Sequence, residues 1–279
     1  MELGRIGVWS RELRSEDGSV DIAAAAAELE RLGYGAVWLG GSPSVHHARP
    51  LLEATSRLVV ATGILSIWDG AAETVAAQRA ELAAAHPGRF LLGIGASHSA
   101  MARDYSRPYS ATAAFLDGLD AAPIPVPAAE RVLAALGPKM LALAAARSRG
   151  AHPYLVTPEH TARAREGLGD ALLAPEVKVV WETDPAKARE LARGHLGIYL
   201  TLPNYTNNLL RLGFTEADFA DGGSDRLVDA VFAWGSPDAV RARIEEYESA
   251  GADHVVVQVI ADALPLRAWS ELAGTLGLG

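Results

Sequence analysis

The chain of 279 residues has no cysteine, which removes any disulfide framework from consideration. No apolar run approaches the length that crosses a bilayer, so a membrane partner is not expected. The opening residues, MELGRIGVWS, lack a basic segment followed by an apolar one; no secretory leader is expected, and a cytoplasmic setting is the default. Basic residues are outnumbered, 25 Lys and Arg against 34 Asp and Glu, and they are scattered among the acids. A formal charge of −9 without a basic cluster excludes nucleic acid as the natural partner. Linker-like composition is also missing. The richest proline stretch, Ala121 to Pro127, is only long enough for a loop between two elements, so residues 1–279 read as one domain.

What is present is a pair of strand-like runs, Leu58 to Trp68 (LVVATGILSIW) and Gly88 to His98 (GRFLLGIGASH). Both are apolar through the body and turn small and polar at the C-terminal end. Continuous apolar strands are the habit of parallel sheets buried on both faces. Small residues where such strands end let a ligand approach the backbone. Function is therefore expected at the C-terminal ends of parallel strands.

Six further strands alternate with helical stretches. Strands are expected at Arg5 to Trp9, Ala36 to Leu39, Arg131 to Leu136, Ala151 to Val156, Val177 to Trp181 and His254 to Ile260. Helix starts are marked by Asp21, by Thr157-Pro158, by Asp184-Pro185 and by Ser236-Pro237. The alternation breaks at 194–235, which reads as a shortened, partly helical insertion before the eighth strand. Eight βα units at this length predict an α/β fold of the (β/α)₈ TIM-barrel kind. A doubly wound open sheet is the rival. Its nucleotide fingerprint is absent from the first turn, Trp9-Ser10-Arg11, and Gly93-Ile94-Gly95 lacks the third glycine.

The segments ELERLGYGAVWLG, LVVATGILSIW, HPGRFLLGIGASH, RVLAALGPKMLALAA and GADHVVVQV resemble the bacterial luciferase-like monooxygenase family. They are most similar to its coenzyme F420-dependent oxidoreductase branch, and the likeness runs over nearly the whole chain. It implies a deazaflavin, or FMN as the alternative, across the C-terminal mouth of the barrel. It also implies a small-molecule substrate and a homodimer.

The resemblance assigns site residues. A bulge in the third strand with a non-proline cis peptide under the ring matches Ser66 and Ile67. The loop after the fourth strand, Gly95, Ala96, Ser97 and His98, lies beside the ring, with His98 where relatives carry a catalytic acid or base. Ala135, Leu136, Gly137, Pro138, Lys139 and Met140 hold the phosphodiester, because a helix N-terminus offers free N–H groups and a positive dipole end. Independently of the resemblance, position at strand ends makes Trp9, Gly41 and Trp68 candidates for a substrate pocket and Glu182 and Gln258 candidates for orienting substrate, while Tyr205, Asn207 and Asn208 of the insertion are candidates for a polar lid. No metal is expected. His46 and His47 are adjacent, which is not the spacing of a ligand pair on one helix face, and they read as solvated loop residues. The family's acid–His pair after strand two is replaced by Gly40-Gly41-Ser42, and the segments after Met101 and around Asn204 to Gly223 look trimmed. Those departures keep a second, non-catalytic reading open.

Overall fold

The computed structural model describes residues 1–98 and 105–279. Ser99 and Met101 lie outside the described residues. Eleven strand segments occur among the described residues: β1 (Ile6–Ser10), β2 (Ala36–Gly40), β3 (Val59–Gly63), β4 (Leu65–Ser66), β5 (Phe90–Gly95), β6 (Arg131–Leu133), β7 (Gly150–Ala151), β8 (Leu172–Leu173), β9 (Glu176–Val180), β10 (Phe232–Trp234) and β11 (Val255–Val259). All pairings are parallel, in the order β10-β9-β11-β1-β2-β3-β5-β6-β7-β8, with β4 continuing β3 beside β5.

The ring closes through β8 and β9, which are one stretch of chain interrupted at Ala174-Pro175. Ala174 N–H donates to Ala151 O and Glu176 N–H to Pro153 O on the β7 side. On the other side Asp253 N–H donates to Leu173 O and Val256 N–H to Pro175 O. Hydrogen bonds therefore run around all eight strand positions, and the TIM-barrel expectation holds. β10 comes from the insertion and adds to β9 above β7.

The helices are α1 (Ile22–Arg31), α2 (Arg49–Ala54), α3 (Ala72–Ala85), α4 (Pro108–Ala121), α5 (Pro138–Arg147), α6 (Pro158–Leu168), α7 (Pro185–Leu196), α8 (Pro203–Arg211), α9 (Asp225–Val231), α10 (Pro237–Ser249) and α11 (Leu266–Leu276). Their starts follow the capping residues. Asp21 accepts from Ala24 N–H, Thr157 from His160 N–H, Asp184 from Ala186 and Lys187 N–H, and Ser236 from Ala239 N–H. One residue in two along each strand meets the helices, for example Val37, Leu39, Val60, Leu92, Ile94, Val177, Val179, Val255 and Val257. The alternate set, Trp9, Ala36, Trp38, Val59, Ala61, Leu91, Val132, Ala174 and Val256, fills the barrel interior.

Two strands are shorter than their apolar runs suggested. The sixth ends at Ala151, because Pro153 has no N–H and Leu155 turns the chain at φ 54°. The fifth ends at Leu133. A bulge divides the third strand: Ala61 to Leu65 is one residue longer than its partner stretch Leu91 to Ile94. Thr62 bridges the gap, donating through Oγ1 to Gly93 O at 2.6 Å and accepting from Gly93 N–H at 2.8 Å. Gly93 must be glycine, since a Cβ there would lie 1.9 Å from Thr62 O.

The lower barrel holds a fully buried aromatic stack. Trp38 lies 4.3 Å from His152, nearly parallel, and donates through Nε1 to His254 Nε2 at 3.1 Å. His254 Nδ1–H donates to Gly4 O, and His152 Nδ1–H to Ala174 O. Burial pushes both imidazoles down to about 4, so both are neutral in the folded protein. The unfolded chain binds protons near pH 6.5, so their contribution is complete above that and is lost as pH falls toward 4. Urea unfolding should show stability dropping over this window by up to ~3 kcal/mol per histidine. A His152→Phe variant should show a visibly shallower slope; an unchanged slope would exclude His152 as a source.

Candidate active site

The mouth at the strands' C-terminal ends is built asymmetrically. Over β3 to β6 it is lined by half-exposed residues, the small Gly63, Ala96 and Ala134 with Ile64 among them. Gly95 is buried beneath them, and a Cβ there would lie 2.9 Å from Ala134 Cβ and 3.1 Å from Ile64. Toward β1 and β2 the indole of Trp9 fills the corner. It donates through Nε1 to Gly63 O at 2.8 Å and lies where a Cβ on Gly40 would stand.

The non-proline cis peptide joins Gly63 to Ile64, which corrects its expected place at Ser66–Ile67. Ser66 and Ile67 follow the bulge and are buried. Ser66 Oγ accepts from Trp68 N–H, and Ile67 packs with the core between barrel and helices. The register explains the shift: pairing with β2 ends at Gly63, and pairing with β5 resumes at Leu65. The exposed backbone of the bulge therefore belongs to Gly63 and Ile64.

Beyond β6 the chain turns at Gly137 into α5. Ala135 is buried, Leu136, Gly137 and Met140 are half-exposed, and Pro138 and Lys139 are exposed. A Cβ on Gly137 would meet only Arg211 Nη1, at 3.8 Å, so the turn is open in front of that guanidinium. Arg211 ends α8 of the insertion and was not anticipated. Leu136 O accepts from His160 Nε2 at 2.9 Å, which holds the turn against α6.

The opposite side is polar and enclosed. Glu176 and Lys178 stand two apart on β9, so both point inward. Lys178 Nζ donates to both carboxylate oxygens, at 3.0 and 2.9 Å, with neither side chain exposed. The ammonium lies 3.6 Å from the Tyr154 ring centroid. Burial pushes Glu176 up and Lys178 down, each against its partner's pull. Tyr154 donates to Gln258 Oε1 at 2.7 Å and meets the Tyr199 hydroxyl at 2.9 Å. Tyr205, from α8, is buried against Tyr154 and Tyr199. The signal for the ion pair was present in EVKVV, where two charges alternate with valines.

His98 sits between the two sides. Its ring lies 5.2 Å from Tyr205, and Nδ1 is 3.2 Å from Asn204 Oδ1. A carbonyl oxygen only accepts, so Nδ1 carries the proton and Nε2 the lone pair. Burial lowers its pKa, against the Asn204 hydrogen bond. Ser97, at φ 56°, turns the chain before it. Trp68 donates to Ala96 O at 2.5 Å and faces Tyr105, on the same rim. Glu182 caps its own turn, accepting from Thr183 and Asp184 N–H, and Asn207 is exposed on α8 while Asn208 is buried. Gly41, at φ 71°, faces Arg11 and Arg14 rather than the ring side.

His46 and His47 approach Glu16, with His47 Nε2 3.2 Å from Glu16 Oε1. His47 Nδ1 accepts from Ser44 N–H at 3.0 Å, so Nε2 carries the proton and donates to the carboxylate. That tautomer gives both ring nitrogens of His47 a hydrogen-bond partner.

A barrel with a bulged third strand and a small-residue rim defines the class. The sequence profile of the luciferase-like monooxygenase family matches residues 104–254, more than half of the chain. The chain belongs to that family and, with it, to the oxidoreductases. No curated protein sequence matches at significant similarity. Solved structures share the fold at low identity. An F420-dependent secondary alcohol dehydrogenase bound to an F420–acetone adduct is 15% identical with TM-score 0.74, covering 98% of each chain. The coenzyme F420-dependent tetrahydromethanopterin reductase of Methanopyrus kandleri is 16% identical with TM-score 0.72, also covering 98% of each. The FMN-bound oxygenating constituent of 3,6-diketocamphane monooxygenase from Pseudomonas putida is 13% identical with TM-score 0.68 and the same coverage.

Removing one member of the buried pair leaves the other charged and unpaired. Lys178→Met should cost about 3–5 kcal/mol in urea unfolding, and Glu176→Leu/Lys178→Met markedly less than the two single changes together. Additive single and double effects would show that the charges do not depend on each other.

Proposed function

We propose that the chain is a coenzyme F420-dependent oxidoreductase that moves a hydride between the deazaflavin and a small organic substrate. The observation that carries the reading is the half-exposed rim of Gly63, Ile64, Ala96 and Ala134 leading to the open turn at Gly137. Gly63, Ala96 and Ala134 are small where a flat ring needs room, and at the start of α5 the Lys139 N–H has no partner among the described residues where a phosphate needs a donor. The residues present fit the cofactor in both respects.

When bound, the deazaflavin supplies hydride donor and acceptor chemistry. The chain supplies position. Gly63, Ile64, Ala96 and Ala134 bear the ring, and the start of α5 with Lys139 and Arg211 holds the phosphodiester. His98, neutral and with its Nε2 lone pair free, takes or returns a proton at the substrate. Tyr205 and the half-buried setting limit water around it. FMN offers a ring and a phosphate of the same kind and is the second reading, favoured by the fold shared with an FMN-bound enzyme.

Fluorescence titration with F420 and with FMN tests the assignment. F420 is expected to bind at least about tenfold more tightly; the reverse order moves the chain to the flavin reading. Arg211→Gln should weaken binding of the preferred cofactor about tenfold, the loss of a charge-assisted contact to phosphate. His98→Ala should leave that affinity intact and lower turnover by roughly 10²-fold or more on a substrate the wild type converts. Full turnover in that variant would remove His98 from the chemistry. Tight binding with no transfer to any substrate would make the chain a carrier.

A further inference from the structure

We propose that Arg11 and Arg14 form an oxyanion site for the substrate, so that the enzyme acts on small organic anions bearing a phosphate or carboxylate. This rests on the proposed oxidoreductase reading and names its substrate class. The two side chains converge on Gly41 at the end of β2. Arg14 Nη2 and Arg11 Nε lie 2.9 and 3.1 Å from the point a Cβ of Gly41 would occupy. Two guanidinium groups are therefore held within ~6 Å of each other at a glycine that leaves them space.

Glu12 and Glu16 lie near enough to act on Arg14, but neither forms an ion pair with the arginines among the described residues. Among those residues neither arginine side chain makes a hydrogen bond or an ion pair, and Arg14 Nε is buried without a partner. The nearby acids are engaged elsewhere. Glu12 Oε2 accepts from Ser10 Oγ and Arg11 N–H, and Glu16 Oε1 faces His47. Burial, with Arg11 alongside, pushes Arg14 below its ordinary value against the pull of Glu16 and Glu12. A fork of donors on each arginine suits an oxyanion in bidentate geometry.

The space around them fits a small molecule. A groove of about 480 Å³ is lined by Arg11, Arg14, Ser15, Ser19, Val20 and His47, with the carboxylates Glu12 and Glu16 on its wall. It shares Arg11 and Glu12 with a smaller cavity of about 170 Å³ lined by Trp9, His195, Gln258 and Trp269. Trp269 Nε1, in a residue only 1% exposed, and His195 Nε2 are buried there without partners. The anion would lie at the arginines and the polar body of the substrate would reach Trp9, His195 and Trp269 at the barrel mouth.

Calorimetric titration at fixed ionic strength, with phenyl phosphate and benzoate as probes and phenol as neutral control, tests the site. At least one anion should bind at least tenfold more tightly than phenol, and the tighter of the two identifies the oxyanion. Arg11 is exposed, so Arg11→Gln should fold normally; it should weaken that probe at least tenfold, whereas Arg57→Gln stays within twofold. F420 and FMN affinities of Arg11→Gln should match the wild type. Failure of both anions to bind, or equal binding to Arg11→Gln, overturns the proposal. A parallel loss of cofactor affinity in Arg11→Gln also overturns it, because the anion held there would be the cofactor's own. If the wild type binds an aryl anion through Arg11 but neither F420 nor FMN, the cofactor assignment falls while the anion site stands.

Discussion

The buried Glu176–Lys178 pair sets the terms for the rest of the mouth. Two opposite charges inside a barrel keep their charged forms only with close geometry and further partners, because desolvation opposes each of them. The Tyr154 ring beneath the ammonium, and the Leu155 N–H on the carboxylate at 3.2 Å, meet part of that need. The remainder comes from exclusion of water by Tyr199 and Tyr205, both contributed by the insertion. The insertion thus folds onto β7 and β9 as a roof, and β10 fastens it to the sheet. What stays half-exposed is the β3 to β6 rim, where Gly63, Ala96 and Ala134 are small and Ile64 is the one larger side chain.

Charge is distributed to match. A chain of net charge −9 repels anions at long range, so any anionic ligand depends on donors placed locally. Many arginines are spent on structure, such as Arg131 on Asp120 and Arg189 on Asp229. Arg11, Arg14 and Arg211 stand at the strands' C-terminal face without such an acid among the described residues. They flank the mouth on two sides: Arg211 by the turn after β6, Arg11 and Arg14 by the loops after β1 and β2. The two proposed anion sites would then lie on opposite flanks of the mouth.

The parts of the fold legible in the sequence were those written in local chemistry. Asp21, Thr157, Asp184 and Ser236 mark helix starts because a side-chain oxygen before an apolar period has one common use. Apolar runs located every barrel strand, since strands buried on both faces have no polar side. Their lengths were less legible: Pro153 and the left-handed Leu155 cut the sixth strand inside an apolar run. The bulge was expected in the third strand yet assigned three residues late, because its place depends on register with β5, and a single strand carries no register. The contact between Arg211 and Gly137 spans distant elements, and no local pattern announces it. Glu176 and Lys178 were not read as a pair, because the strand was expected to begin at Val177; the closed barrel puts both on its inward face.

Two histidines border the mouth, and their surroundings separate them. His195 is packed against Tyr199 and Phe232, and burial together with Lys178 lowers it to about 3. At neutral pH it is a weak base, and its Nε2 is buried. It suits hydrogen bonding to a bound molecule better than proton transfer. His98 is half-exposed, its Nδ1 is committed to Asn204, and its depression has no nearby cation behind it, only burial. The proton role proposed for His98 stands on its free Nε2 lone pair, which the Asn204 contact leaves available. The difference follows from neighbours: Lys178 and Arg11 act on His195, whereas His98 meets Asn204 and Tyr205.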